Sequence, residues 1–295
     1  MKLLTMRTPQ GFGLGVKTDK GVLDVARAAQ RYGGAAPETV DAVITGGDAA
    51  RRAVADLVAR ALEDGQAGDL FVAEERVSFG PAVTNPEKIL CVGTNYRKHA
   101  IESNMPIPTF PVLFSKFNNT LAGHGEPVRM PAAEQVDYEV ELVIVIGREA
   151  KDVPKEKALS YVFGYATGND LSARDLQFRT GQWLLGKTLD GFAPVGPYVV
   201  TADEVPNPNA LHLELRLNGQ VRQSSNTADM IFDCAELVSY ASRYMTLKPG
   251  DLIFTGTPEG VILGYPEDKR VWLKAGDEMV ASVEGLGELR TVLVD

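Results

Sequence analysis

Cysteine and histidine are scarce in this 295-residue chain, which has two of the first, Cys91 and Cys234, and three of the second. Two cysteines make neither a disulfide framework nor a thiolate zinc site, and they fit a reducing compartment. Three histidines leave a His-rich zinc centre short of ligands. No apolar run approaches the roughly 20 residues that span a bilayer. The opening Met1-Lys-Leu-Leu-Thr-Met-Arg-Thr8 lacks the apolar stretch of a secretory signal. A cytoplasmic protein with no membrane partner is therefore expected. Basic residues are outnumbered, 30 Lys and Arg against 39 Asp and Glu, and the formal charge of -9 argues against nucleic acid as the main partner. No Gly-x-Ser-x-Gly elbow supports serine hydrolase chemistry. What is present is an ordinary globular balance, 44% hydrophobic and 23% charged, in a chain long enough for a large domain with a smaller one beside it.

The first 75 or so residues form a segment of their own. Strand patterns ending at Val16-Lys17 and running over Val22–Val25 flank the turn Thr18-Asp19-Lys20-Gly21. A helix is expected over Ala49–Leu62, with Val54, Leu57, Val58 and Ala61 on one face. The passage Phe79–Pro86 has two prolines and no periodicity, which divides the chain into a small N-terminal domain, 1–80, and a catalytic domain, 81–295. Beyond it, short strand patterns alternate with Gly and Pro turns: Ile89–Val92, Glu139–Gly147, Leu211–Leu217, Asp251–Thr255, Arg270–Leu273, Met279–Val283 and Leu289–Val294. Helices are expected near Ser172–Arg179 and Asp233–Tyr244. The fold class is α+β, mixed and rich in sheet.

Chemistry concentrates in Val136-Asp137-Tyr138-Glu139-Val140-Glu141-Leu142. On one strand, Asp137, Glu139 and Glu141 would share a face, with Glu141 entering an apolar run. Buried carboxylates roughly 7 Å apart repel, and one must protonate or find a cation. Hard Mg²⁺ or Mn²⁺ resolves that conflict. An edge strand whose acids face water fits the same pattern. Asp170 follows in Gly168-Asn-Asp-Leu-Ser-Ala-Arg174-Asp-Leu-Gln177, where it could cap a helix, with Ser172 and Asp175 at capping-box spacing. Continued as a helix, the same stretch would set Asp170, Arg174 and Gln177 along one face.

Gly181-Gln-Trp-Leu-Leu-Gly-Lys187-Thr188 matches the phosphate-loop pattern letter for letter. That loop needs small residues and a following helix. Trp183, Leu184 and Leu185 occupy it, and Asp190-Gly-Phe-Ala-Pro after it cannot begin a helix, so nucleotide binding is rejected. His124 lies in a Gly-rich loop, at a pocket or on the surface, and His212 is expected on the wet face of its strand.

Several motifs in order resemble the fumarylacetoacetate hydrolase family, in its acylpyruvase and oxaloacetate decarboxylase-like branch. They are Cys91-Val-Gly-Thr-Asn-Tyr-Arg-Lys-His99-Ala-Ile-Glu102, Tyr138-Glu-Val-Glu-Leu, Gly168–Gln177, Gly186-Lys187-Thr-Leu-Asp-Gly-Phe, and Pro249 through Thr257-Pro-Glu-Gly-Val. The likeness covers roughly residues 85–295. It implies layered mixed sheets of the β-roll kind, a homodimer, and Mg²⁺ or Mn²⁺ held by Glu139, Glu141 and Asp170. It makes His99 and Glu102 a water-activating pair on a short lid helix, and Lys187 the cation facing a substrate oxo group. Arg174, Gln177 and Thr257 become substrate contacts, and Asp137 a supporting acid. Phe114-Ser-Lys-Phe-Asn-Asn-Thr120 departs from the family's proline-bearing form, and residues 1–75 lie outside the family core.

The expected reaction is hydrolytic C–C cleavage of a 2,4-dioxo acid of the acylpyruvate or fumarylpyruvate type, through a metal-bound pyruvate enolate. Oxaloacetate decarboxylation and 2-oxo/2-hydroxy-enoate isomerisation or tautomerisation stand as alternatives on the same site. A non-catalytic small-acid binder is the remaining one, disfavoured because the full residue set is retained.

Overall fold

Turn glycines close the first strands into a meander. In the computed structural model, which describes residues 1–295, these are β1 (Lys2–Thr8), β2 (Gly11–Thr18) and β3 (Gly21–Asp24). Gly21 takes φ +118° against the Val72 carbonyl, a conformation and a closeness that a side chain would oppose. Asp24 caps α1 (Val25–Tyr32) through the Arg27 amide. The helix expected from Ala49 begins earlier, as α2 (Val40–Glu63), because Thr39 accepts from the Ala42 amide and starts it; Gly47, at φ +58°, bends it. Val54, Leu57 and Ala61 are buried as their spacing predicts. β4 (Phe71–Val72) ends this segment.

The remainder runs β5 (Ile89–Gly93), α3 (Arg97–Glu102), β6 (Val112–Lys116), β7 (Leu121–Ala122), β8 (Pro127–Arg129), β9 (Val136–Asp137) and β10 (Val140–Ile146). Next come α4 (Lys155–Ala158), β11 (Val162–Asn169), β12 (Ser172–Ala173), and the single turns α5 (Arg174–Gln177) and α6 (Leu184–Lys187). The chain closes with β13 (Ala193–Thr201), β14 (His212–Leu217), β15 (Gln220–Asn226), α7 (Cys234–Tyr244), β16 (Leu252–Phe254), β17 (Glu278–Val283) and β18 (Gly287–Val294). No helix is long and apolar enough to cross a membrane.

The α+β reading holds. One large sheet has the order β4-β3-β2-β1-β13-β11-β10-β16-β5-β6; a second has the order β15-β14-β17-β18-β8. β10 shows why its apolar run is continuous. Leu142, Ile144 and Ile146 enter a core shared with β14, β17, β18 and α7, whereas Val143 and Val145 enter a second core shared with α1 and α2. A strand covered on both faces has no place for alternation. The N-terminal strands continue the large sheet, with Lys2 paired to Val200. The expected boundary falls in the irregular stretch before β5.

Two expected elements are corrected. Arg270–Leu273 forms no strand; Leu273 gives one bond to Val136 O, and Asp277 then turns the chain by accepting from the Lys274 amide. The helix over Ser172–Arg179 shrinks to α5, because Ser172 and Ala173 pair with Asp137 and Val136. The capping box is also absent: Ser172 donates to Asp170 O, and Asp175 accepts from the amides of Glu134 and Gln135.

Candidate active site

Three acids converge where β10 leaves β9 and β11 ends. Glu139 sits between strands, its amide bonded to Asn169 Oδ1 at 3.0 Å and its carbonyl accepting from the Asp170 amide at 2.9 Å. Those bonds hold residues 139 and 170 side by side. Glu141 lies on β10, pairs across to Gly168, and accepts from the Gly256 amide at 2.7 Å. Oxygens of Glu139, Glu141 and Asp170 all lie within 4.8 Å of one another, and all three residues are buried. The strand argument needs one correction. Backbone pairing breaks between Asp137 and Val140, so the three acids do not lie on one continuous strand. Asp137 accepts from the amides of Tyr138, Ile262 and Leu263, and shares Arg174 with Glu139.

Cations surround the acids. Lys187 Nζ is 2.7 Å from Glu139 Oε2 and 2.7 Å from Asp170 Oδ2. Lys116, fully enclosed at the end of β6, pairs with the other Asp170 oxygen and donates to Leu171 O at 3.1 Å. Arg174 Nε donates to Asp137 at 2.9 Å, and Nη1 to Gln177 Oε1 at 3.0 Å. Its Nη2 stands 2.8 Å from Asp137 and 2.7 Å from Glu139, at ion-pair distance although neither oxygen lies along its N–H axes. Sequence reasoning passed over Lys116; the available signal was a lysine among the hydrophobic residues of a strand.

The titration behaviour follows from this distribution. Burial opposes charge on Glu139, but Lys187 and Arg174 override it and hold the carboxyl below the usual range. Glu141 has no such neighbour at contact. Burial, then the charges of Asp170 and Glu139, push it well above the usual range. Lys187 is held above its ordinary value despite burial, by Asp170 and Glu139. An all-carboxylate donor set, buried, with one member starved of positive charge, fits a hard divalent cation.

On α3, His99 Nδ1 lies 3.3 Å from Glu102 Oε1. Glu102 is anchored by the Gly260 amide, 3.0 Å from Oε2. Thr257, 4% exposed, donates to Val140 O at 3.0 Å. His99, Glu139, Glu141, Arg174, Gln177, Lys187 and Thr257 line one cavity of about 40 Å³, whose apolar walls include Phe114 and Trp183. Asp170 and Glu102 stand directly behind it, bonded to Lys187 and His99. The structure therefore brings every expected residue to one place. His124 is elsewhere, edge-on to Phe79 and bonded to Glu288 O. His212 is half solvated, and both cysteines are free and buried. The phosphate-loop likeness also dissolves. Gly186 lets α6 approach α5, since a Cβ there would lie 2.5 Å from Ala173 O, and the adjoining lysine is spent on carboxylates.

Residues 88–294 match the model of the fumarylacetoacetate (FAA) hydrolase C-terminal family. A mitochondrial oxaloacetate tautomerase of Xenopus laevis is 42% identical over 227 residues, 76% of this chain and 70% of its own length. Its Homo sapiens namesake is 39% identical over 298 residues, 97% and 90% of the two chains. Among solved structures, a Pseudomonas aeruginosa fumarylpyruvate hydrolase in complex with Mn²⁺ and pyruvate is 37% identical, with a TM-score of 0.65 over 72% of this chain and 91% of its own. The expectation of a cytoplasmic protein does not stand, since both tautomerase relatives are named mitochondrial.

Proposed function

The chain belongs to the fumarylacetoacetate hydrolase family, and from that premise we propose that it interconverts the oxo and enol forms of a small 2-oxo diacid of the oxaloacetate type. One observation carries the reading: Lys187, bridging Glu139 and Asp170 at 2.7 Å each, fixes a cation in the same small cavity as His99. Enolisation needs that pairing, a proton carrier at carbon and a positive charge at the oxygen where negative charge develops. The relatives' names move the weight from hydrolysis to tautomerisation.

Glu139, Glu141 and Asp170 would hold Mg²⁺ or Mn²⁺, which supplies Lewis-acid polarisation of the 2-oxo group. Lys187 stabilises the developing enolate oxygen. His99, oriented by Glu102, takes the C3 proton and returns it to oxygen or carbon. Gln177 must turn its carbonyl toward the Arg174 guanidinium, which has no acceptor, so its amide hydrogens are left to bind substrate oxygen. Arg174 is bonded to Asp137 and Gln177 and stands at ion-pair distance from Glu139, so it holds Glu139 and Gln177 in place. The cavity has room for a few ordered waters only, so α3 acts as a lid that swings outward to admit a diacid. Residues 81–295 hold the whole site, and residues 1–80 serve as a domain that covers the outer face of the large sheet.

Hydrolysis of an acylpyruvate remains as a second reading, favoured by the His99–Glu102 pair, which can polarise a water as well as a C–H bond. One set of assays separates the two. With Mg²⁺, the enol absorbance of oxaloacetate, release of carbon dioxide, and the loss of acetylpyruvate are followed in parallel. Tautomerisation is expected to exceed the rate with Mg²⁺ alone, and His99→Ala to lower it at least 100-fold. A wild-type protein that leaves enol decay at the Mg²⁺-only rate overturns the proposal; acetylpyruvate consumed faster than oxaloacetate equilibrates favours the hydrolase.

A further inference from the structure

Gln223 belongs to β15, a strand of the second sheet whose side chains mostly face water, yet it is 1% exposed. Its amide makes three bonds, and they admit one orientation. Val140 N–H can only donate, so the atom 2.9 Å from it is Gln223 Oε1. Nε2 then faces Thr257 Oγ1 at 2.9 Å and Pro258 O at 3.0 Å. A carbonyl can only accept, so one amide hydrogen goes to Pro258 and the other to Thr257. Thr257 Oγ1 also lies 3.0 Å from Val140 O, another pure acceptor, and its single hydrogen is committed there. What Thr257 has left for the cavity is one lone pair.

We infer that Gln223 is a positioning residue that locks the Thr257 hydroxyl as a hydrogen-bond acceptor, so that this wall of the site selects a ligand hydroxyl over a ligand carboxylate or oxo oxygen. The inference rests on the 2-oxo acid reading above and sharpens it: the group met by Thr257 is the O–H of the enol, or of a 2-hydroxy acid, and not an anionic oxygen. Leaving a buried acceptor pair unmatched, or facing it with another acceptor, forfeits the bond and costs desolvation. The lock is built from elements remote in sequence. Gly260, at φ +97°, permits it, because a Cβ there would stand 2.2 Å from Arg222 O and force residues 256–264 away from β15.

The test uses two probes, oxalate, which offers only acceptors, and tartronate, which inserts one hydroxyl-bearing carbon between the same two carboxylates, each titrated calorimetrically into Mg²⁺-loaded protein. Thr257→Val is expected to weaken tartronate about 5- to 10-fold, the worth of one hydrogen bond, and oxalate less than 2-fold; Thr257→Ser restores tartronate. Gln223→Met frees the hydroxyl to turn and donate, so the tartronate-to-oxalate affinity ratio falls several-fold while Thr257 is unchanged. If that variant does not fold, the two Thr257 variants decide alone. An affinity ratio that stays at the wild-type value in Thr257→Val overturns the lock. Binding of neither probe to the wild-type protein overturns the 2-oxo acid reading itself, and the lock with it.

Discussion

A carboxylate buried among like charges is the least comfortable group in this molecule, and Glu141 is that group. Burial and the neighbouring Asp170 and Glu139 raise its folded pKa well above the ordinary value. A group with a raised folded pKa binds its proton more tightly folded than unfolded. Its contribution is therefore complete below the unfolded value of about 4.3 and is lost as pH rises through the folded one. Glu139 has the opposite shift; its contribution is complete above the unfolded value and fades only on stronger acidification, so it is constant from pH 5 to 8. Chelator-treated protein is thus expected to lose stability across that window, by about 1.4 kcal/mol per unit where Glu141 titrates, or roughly 2–4 °C in melting temperature. Glu141→Gln should flatten the slope, as should saturating Mg²⁺ by supplying the missing positive charge. Equal slopes in wild type and Glu141→Gln, measured by thermal melts at five pH values, would refute this. Much of the acid set was legible because Glu139 and Glu141 sit two apart before an apolar run and Asp170 lies in a recognisable motif. The tasks of Lys116 and Gln223 were not, because their partners Asp170 and Thr257 are remote along the chain.

At the scale of elements, the segment 256–264 ties the site together although it has no strand and only a single 3-10 turn, Ile262–Gly264. Its backbone amides hold Glu141 from Gly256, Glu102 from Gly260, and Asp137 from Ile262 and Leu263. One irregular stretch therefore sets a triad acid, the lid acid and the acid that anchors Arg174. Its composition was visible as part of a family motif, but its task was not, since amide donors carry no residue-specific mark. The continuous strand expected over Asp137–Glu141 is interrupted for a related reason. Periodicity assumes the strand continues, whereas tertiary bonds to Asn169 and to 262–263 break it between Asp137 and Val140. Gly264 offers a clean probe of the lid. Its φ is one any residue adopts, but a Cβ would come within 2.3 Å of the Glu102 carboxyl carbon. Gly264→Ala is therefore expected to displace Glu102 from His99 and lower kcat at least 10-fold, with a stability change within about 1 kcal/mol. Wild-type kcat in that variant, with a normal melt, would show that Glu102 does not act from the position seen here.

For the whole molecule, the exposed end of the large sheet raises the question of what covers it. β6 is the terminal strand of that sheet, and its outer edge is unpaired. Long bare edges invite pairing. Around it lie Phe110, 68% exposed and stacked on Tyr240, Val112, Leu184 and Leu185, and a groove of about 560 Å³ formed by Leu90, Leu113, Phe114, Trp183, Leu184 and Met245. An antiparallel edge meeting its own copy is self-complementary under a two-fold axis, and on that ground we propose a second copy of the chain as its partner. The consequence reaches the chemistry, because β6 ends in Lys116, bound to Asp170, and contributes Phe114, which lies 5.0 Å beneath Lys187 and edge-on to Trp183. Pairing at the edge would hold those two side chains still. Light scattering at micromolar concentration is expected to give twice the chain mass of 31.8 kDa, and Leu185→Glu, an exposed change that leaves the cores intact, is expected to halve it and to reduce activity without abolishing Mg²⁺ binding. A monomeric wild type with full activity would mean that β6 is kept in place by its single neighbour β5, and that the apolar rim serves the lid rather than a partner.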